Sequence, residues 1–502
     1  MPANSEDYFS PESLDKDLKK KTVVAGYALV VFRAIGLILS LASIPILARL
    51  LSKGDFGLVA MASVFSGFAS MFVDAGLSKA TVQSKDLTPE QATNLFWFTT
   101  ALGTLISVCF ALLAWPISWF YGEPRLFAIV CVMSLSYFGV GVTMQHRSLM
   151  RRRMQMWTLG VVGLGSQIVA ILLSLGWAYW KQGSPDACWA LVIKPIVAVY
   201  LSSVIFWFLC PWRPGFPKRG VGTMKLTSFG AVITGSNTIM YFITQADFLL
   251  VGWYWGDELL GVYERAYRLL LAPIRAISSP LGSATVPALS RLTDKPQLYR
   301  EAFVKASRAS ATAQVPVISF IAIYAEETVL CMLGPNWQEA VPVFIYLLPA
   351  VFLNVFGVTC EWVYHSWGHV SRQFKWVVFS GTCFLATYAA TVSFGIEALA
   401  IGYSIIFCLL RVPAIFICFH GTPVRFGDLV RSYRLPALSA AVASVGTLFA
   451  SASTTALNDF ARIGVGVPVF GCVYFATLLV SPTGRELLRD LGLARVFRLK
   501  RS

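Results

Sequence analysis

Ten charged side chains stand inside long apolar stretches of this chain: Arg33, Asp74, Lys194, Asp247, Glu264, Arg265, Arg268, Arg275, Glu361 and Arg411. A charge at the centre of a membrane helix costs about 2.5–3.5 kcal/mol, so each must face protein or water, and such groups mark the passage of ions or polar ligands. Six of the ten are cations. Five of these are Arg, whose planar fork suits phosphate oxygens, so the chemistry they offer is recognition of an anionic head group. At 100° per residue, Glu264, Arg265, Arg268 and Arg275 fall within about a 100° arc and form one helical stripe. Pro273, Pro280 and Pro287 punctuate the same stretch every seven residues, withdrawing hydrogen bonds on one side and implying kinks.

Position along each stretch separates the roles. Arg33 and Arg275 lie nearest mid-span and are the principal cavity candidates, with Arg268 and Arg411 beside them. Arg265 and Arg268 are close enough to an outer edge to snorkel, and Lys194 beside Pro195 reads as interfacial. Asp74 and Asp247 either carry a coupling ion or neutralise a neighbouring cation, the pairing role being favoured. Glu361, near an inner edge, reaches the interface. His365 and His369 stand four apart, but no third ligand accompanies them and Gly368 argues for a helix end. No GxxxxGK[ST] loop occurs, so ATP hydrolysis is unsupported, and no metal or other cofactor is expected. The GxG pairs Gly139/Gly141 and Gly464/Gly466 lie inside apolar runs, where close helix packing explains them.

The elements that position these groups are apolar helices. The chain has 502 residues, 56% hydrophobic and 13% charged, far from the balance of a soluble domain. About 20 apolar residues cross the hydrocarbon. On that ruler the expected spans are approximately 23–47, 56–76, 96–119, 127–145, 157–179, 187–210 and 226–251. Seven more follow at 261–286, 309–333, 340–365, 376–394, 398–419, 435–452 and 464–480. The fold class is therefore an all-α polytopic membrane protein of about fourteen helices. Runs this long exclude a membrane barrel. No gap is long enough for a soluble catalytic domain.

The remaining cations report topology. Of the 41 Lys and Arg residues, thirty fall in alternate gaps, in clusters such as Lys19–Lys21, Arg151–Arg153, Arg291–Arg308 and Arg485–Arg501. The intervening gaps hold only Arg49, Lys53, Arg125, Lys181 and Arg462. The positive-inside rule makes the rich side, and with it both termini, cytoplasmic. The net charge of +15 thus follows the membrane, where each basic residue gains about 1 kcal/mol against anionic lipid head groups; nucleic acid is disfavoured. No cleaved signal peptide is expected before the first span.

A faint repeat links Gly57, Ala62, Leu77, Ala80, Thr81 and Val82 to Gly261, Ala266, Leu281, Ala284, Thr285 and Val286 at a constant offset of 204. It lays spans one to six over spans seven to twelve. Six is even, so the halves form a parallel pseudo-repeat, an arrangement suited to alternating access. The expected organisation is a cytoplasmic segment 1–21, a six-helix lobe 22–210, a linker 211–225, a second six-helix lobe 226–419, two additional C-terminal helices within 435–480 and a basic tail 481–502.

Two segments carry a family signature: RLLSKGDFGLVAMASVFSGFASMFVDAGLSKATVQSKDLTPEQ from Arg49 and GDELLGVYERAYRLLLAPIRAISSPLGSATVPALSRLTD from Gly256. With CMLGPNWQEAVPVF from Cys331, the chain resembles the Wzx-type polysaccharide-repeat flippases of the multidrug/oligosaccharidyl-lipid/polysaccharide exporter superfamily. The resemblance implies a transporter of the bacterial inner membrane that moves undecaprenyl-diphosphate-linked oligosaccharide between leaflets. It also implies a polysaccharide polymerase and a chain-length regulator as neighbours in the pathway. The motif positions it marks are Asp55 and Gly57 in the first segment, and Gly261, Tyr263, Arg265, Ala266, Tyr267, Arg268, Pro273, Pro280 and Pro287 in the second. Asp247 matches an acidic position before the end of span seven. The rival readings are a polymerase or ligase acting on lipid-linked glycans, and a drug or ion exporter of the same superfamily.

Overall fold

A computed structural model describes residues 18–74, 78, 81–82, 87–218, 224–452 and 458–490, and every regular element among them is helical. The long helices are α1 (Leu18–Leu50), α2 (Lys53–Asp74), α3 (Pro89–Leu112), α4 (Ala114–Tyr121), α5 (Arg125–Arg152), α6 (Met156–Trp180), α7 (Trp189–Leu209) and α8 (Met224–Ser290). They continue with α9 (Pro296–Ile323), α10 (Ala325–Leu333), α11 (Ala340–Ser366), α12 (Val370–Thr391), α13 (Ile396–Phe419), α14 (Phe426–Ala452), α15 (Asp459–Val480) and α16 (Pro482–Asp490). Twelve helices are long and apolar enough to span a membrane, or thirteen when a bent pair counts as one. One of the twelve, Tyr241–Ser290, has 50 residues. At 1.5 Å per residue it runs about 75 Å, more than twice the hydrocarbon thickness, and Gly256 interrupts it with φ 80° and ψ −169°. Two crossings therefore lie within it, and the expected total near fourteen follows. The chain is a multi-pass membrane protein.

Three boundaries differ from expectation. The gap expected at 252–260 is no loop: helix runs through it except at Gly256. The connector after Ser290 shrinks to five residues, so Arg300, Lys305 and Arg308 ride on α9. Hydropathy marks only the apolar middle of a helix, whose charged ends extend into the head groups. The span expected at 309–333 is bent by 87° between α9 and α10. The acidic pair Glu326 and Glu327 opens α10 at that bend, where a helix N-terminus favours negative charge.

Two compact units divide the chain, Met1–Gly261 and Val262–Ser502. In the first, α3 packs on α5, α5 on α7, α6 on α7 and α1 on α6. In the second, α9 packs on α11, α11 on α13 and α12 on α13, while α14 and α15 pair with each other. Numbered as spans, the contacts 3–4, 4–6 and 5–6 have counterparts in 9–10, 10–12 and 11–12.

Ion pairs inside each unit test the alternation of gaps. Arg125 meets Asp257 at 3.0 Å and Arg462 meets Glu327 at 2.6 Å, all four at cation-poor ends. Lys218 meets Glu90 at 3.6 Å and Arg300 meets Asp428 at 2.7 Å, all four at cation-rich ends. Among the described residues, no ion pair joins a rich gap to a poor one.

Candidate functional site

The first family motif builds a helix start. Ser52 caps α2: its backbone N–H and hydroxyl donate to Asp55 Oδ2 at 2.9 and 2.7 Å, and its Oγ accepts from Asp55 N–H at 3.1 Å. This reciprocal box satisfies donors that a helix N-terminus leaves open. Asp55, 6% exposed, is thereby a structural carboxylate. Gly57, one turn on, permits a backbone crossing: a Cβ there would collide with the Asp257 carbonyl, and one at Gly261 with the Lys53 carbonyl. The Asp257 side chain caps its own neighbour, accepting from Glu258 N–H at 2.9 Å, and also holds Arg125.

The second motif continues into the stripe of charges on α8. Glu264, 2% exposed, accepts from Arg265 Nε at 2.6 Å and pairs with Arg268 one turn on. The trio carries a single net positive charge. Arg268, a cavity candidate also near enough to an outer edge to snorkel, is ion-paired with its side chain 56% exposed. Arg275, two turns further, is exposed and has no hydrogen-bond or ion-pair partner among the described residues. Pro273, Pro280 and Pro287 lie inside continuous helix.

Motif aromatics reach the last candidate cation. Tyr263 stacks on Tyr267 at 6.4 Å between ring centroids, Tyr267 meets Tyr403 at 6.1 Å, and Tyr403 meets Phe407 at 5.6 Å. The Arg411 guanidinium lies 4.3 Å over the Phe407 ring. Tyr403, Phe407 and Arg411 recur every four residues and share one face of α13. Gly357 on α11 gives the guanidinium its place, for a Cβ there would stand 2.5 Å from Nη1. The buried Arg411 Nε has no hydrogen-bond partner in the structure.

In the first unit, Arg33 is exposed on α1 without a partner among the described residues. Lys194 donates to Ser43 Oγ at 3.1 Å, and Gln167 Nε2 donates to Gly36 O at 2.8 Å and Ser40 Oγ at 2.9 Å. A polar seam therefore ties α1 to α6 and α7 inside apolar helices. Gln167, Ser40 and Ser43 are uncharged and leave no mark on a reading of charges within apolar runs. Asp247 is 2% exposed and accepts from Phe248 N–H at 2.9 Å. The Asp74 side chain lies outside the described residues.

Glycine packing follows expectation at Gly139 and Gly141, where a Cβ would approach Val199 Cγ1 to 2.8 Å and Thr99 O to 2.6 Å. A Cβ at Gly466 would stand 2.5 Å from Tyr324, whereas Gly464 meets nothing within 4 Å. Gly368 has φ +68° and follows the end of α11, so His365 and His369 do not share a helix. Among the described residues, no group of three His, Cys, Asp or Glu side chains could hold a metal.

A family model described as polysaccharide biosynthesis protein matches residues 46–342, well over half of the chain. The chain belongs to the polysaccharide biosynthesis protein family. Its similar relatives in this family include the teichuronic acid biosynthesis protein TuaB of Bacillus subtilis (strain 168), 23% identical over 84% of this chain and 88% of that one. The lipopolysaccharide biosynthesis protein WzxC of Escherichia coli (strain K12) is 22% identical over 79% of each chain. The succinoglycan biosynthesis transport protein ExoT of Rhizobium meliloti (strain 1021) is 23% identical over 61% of each. Among solved structures, the fold is similar to the lipid II flippase MurJ in an inward closed conformation, with TM-score 0.70 and 11% identity over 92% of this chain and 98% of that one. It is also similar to an inward-facing multidrug resistance MATE transporter of the MOP superfamily, with TM-score 0.61 and 13% identity over 78% and 97%.

Proposed function

We propose that this protein is a flippase that moves an undecaprenyl-diphosphate-linked oligosaccharide from the cytoplasmic to the periplasmic leaflet of a bacterial inner membrane. One observation carries the reading: a polysaccharide-biosynthesis family chain has the fold of a lipid flippase along 92% of its length. The two cation-poor and cation-rich ends of each unit support an orientation with the rich ends and both termini cytoplasmic.

The intramembrane cations supply the recognition. Arg33 in the first unit and Arg275 in the second, exposed and without partners among the described residues, are each a candidate to offset dehydration of the diphosphate. Arg411 adds a third guanidinium, held over the Phe407 ring. Tyr267, Tyr403 and Phe407 offer ring faces to sugars beside it. The polyprenyl chain stays in lipid. Rocking of the repeats, 22–210 against 226–419, then exposes the head group to the other side, driven by an ion gradient or by consumption of the product. Asp247 and Asp74 are the candidates for coupling.

The test is chemical. Deletion of the gene in its native strain is expected to accumulate the lipid-linked oligosaccharide on the cytoplasmic leaflet, and a functional copy to clear it. A drug exporter predicts no accumulation, and a polymerase predicts accumulation on the periplasmic leaflet instead.

A further inference from the structure

At the cation-rich end of the second unit, α9, α14 and α16 border an open cavity of about 500 Å³. Its charged lining is Arg300, Glu301, Lys305, Arg308, Asp428 and Arg431. None of these residues is used in the cargo path above.

The two carboxylates do not balance the four cations. Asp428 is fully engaged: it accepts from Arg300 Nε and Nη2, each at 2.7 Å, and from Arg425 N–H at 2.9 Å. Setting Lys305 aside, the rest of the lining holds Arg308 and Arg431 against the single carboxylate of Glu301, an excess of positive charge. Glu301, Lys305 and Arg308 follow at i, i+4 and i+7 on one face of α9, and Arg431 approaches from α14. Neither Arg308 nor Arg431 has a side-chain hydrogen-bond or ion-pair partner among the described residues. Arg308 is partly buried and lines the cavity. The first turns of α9 and α14 both border the space, adding the positive ends of two helix dipoles. The volume falls in the range of about 300–1,000 Å³ typical of small-molecule sites. Leu487 of α16 gives one apolar wall beside the charges.

We infer that this cavity binds a phosphate-bearing ligand, gripped between the guanidinium forks of Arg308 and Arg431. Arg forks bind phosphate oxygens through paired, charge-assisted hydrogen bonds, and a phosphate compensates the surplus charge without displacing the Arg300–Asp428 pair. The ligand chemistry has two sources at a membrane surface, a phospholipid head group or a soluble phosphate compound. The site does not rest on the transport reading, since translocation and this binding are measured separately.

The experiment uses the full chain purified in detergent and stripped of lipid, as wild type and as the double variant Arg308→Gln/Arg431→Gln. One arm adds cardiolipin, with phosphatidylcholine as the control, and reads the bound fraction by native mass spectrometry. The other titrates inorganic pyrophosphate by calorimetry. The expected result is binding in at least one arm, weakened tenfold or more in the double variant. Cardiolipin alone identifies a lipid head group, pyrophosphate alone a soluble ligand, and both a site that reads phosphate itself. Absence of binding in both arms, or equal binding by the double variant, overturns the inference. Should the double variant fail to fold, the exposed single variant Arg431→Gln is read by the same criteria.

Discussion

Gly57 and Gly261 stand at one backbone crossing, each leaving room for the carbonyl of the other segment's first residue, Asp257 against Gly57 and Lys53 against Gly261. The contact is reciprocal under the 204-residue offset, which carries Lys53 onto Asp257 and Gly57 onto Gly261. Reciprocity of that kind is what a local two-fold axis produces. The helix start at Lys53 and the restart after Gly256 also obey the offset. Both family motifs therefore serve first as architecture, placing two equivalent helix starts in contact at the cation-poor end of the first unit.

Gly57→Ala and Gly261→Ala should each force the crossing apart. Inserting carbon into a packed contact costs about 1–3 kcal/mol, and here the neighbour is backbone, which cannot rotate away. Melting of the purified protein in detergent should fall for both, while Gly464→Ala, with open space around it, should melt as the wild type does. Unchanged melting of the two crossing variants would show that the helices do not meet here.

Glu264 holds two guanidinium groups, so Glu264→Gln should leave Arg265 and Arg268 repelling each other on one helix face. The expected outcome is a lower melting temperature than either Arg265→Gln or Arg268→Gln produces. Were Glu264→Gln the mildest of the three, the pairing would not stabilise the fold.

Among the described residues Arg275 has no partner, which separates its effect on stability from its effect on transport. Arg275→Ala should preserve melting and yield, because an unpaired intramembrane charge contributes nothing favourable to folding. It should slow translocation tenfold or more, with partial recovery in Arg275→Lys, which keeps the charge but loses the fork.

The cation-poor end offers a pH signature. Hydrogen bonds from Arg125 hold the Glu123 carboxyl below the usual range, against a smaller opposing effect of burial. A carboxylate with a depressed folded-state value stabilises the fold above its unfolded value, about 4.3, and loses that contribution as pH falls through the folded value. Melting followed from pH 6 to pH 3 should therefore decline less in Glu123→Gln than in the wild type. Parallel declines would assign the acid limb to other groups.

Much of this was legible in the residues. The all-helical membrane architecture and the gathering of cations at one kind of helix end follow from where charges interrupt apolar runs, because each charge out of place has a cost that the fold must meet. Other features depend on partners that spacing along one helix does not disclose. That Glu264 pairs with both Arg265 and Arg268 was not fixed by the shared arc, which leaves open which of its cations it meets. The recess that Gly357 opens for Arg411 joins α11 to α13, and nothing in either segment names the other. The Gln167 seam uses neutral groups that hydropathy barely registers. The bend at Tyr324 was hidden because α9 and α10 together remain apolar enough to pass as one span.

The central claim is translocation of a lipid-linked oligosaccharide, and reconstitution measures it most directly. Purified protein in vesicles carrying undecaprenyl-diphosphate oligosaccharide labelled on its sugar should make inner-leaflet label accessible to an external lectin or glycosidase within minutes. Protein-free vesicles and Arg275→Ala vesicles should retain it. Equal protection of the label in wild-type and protein-free vesicles, in the presence of either a proton or a sodium gradient, would contradict the account.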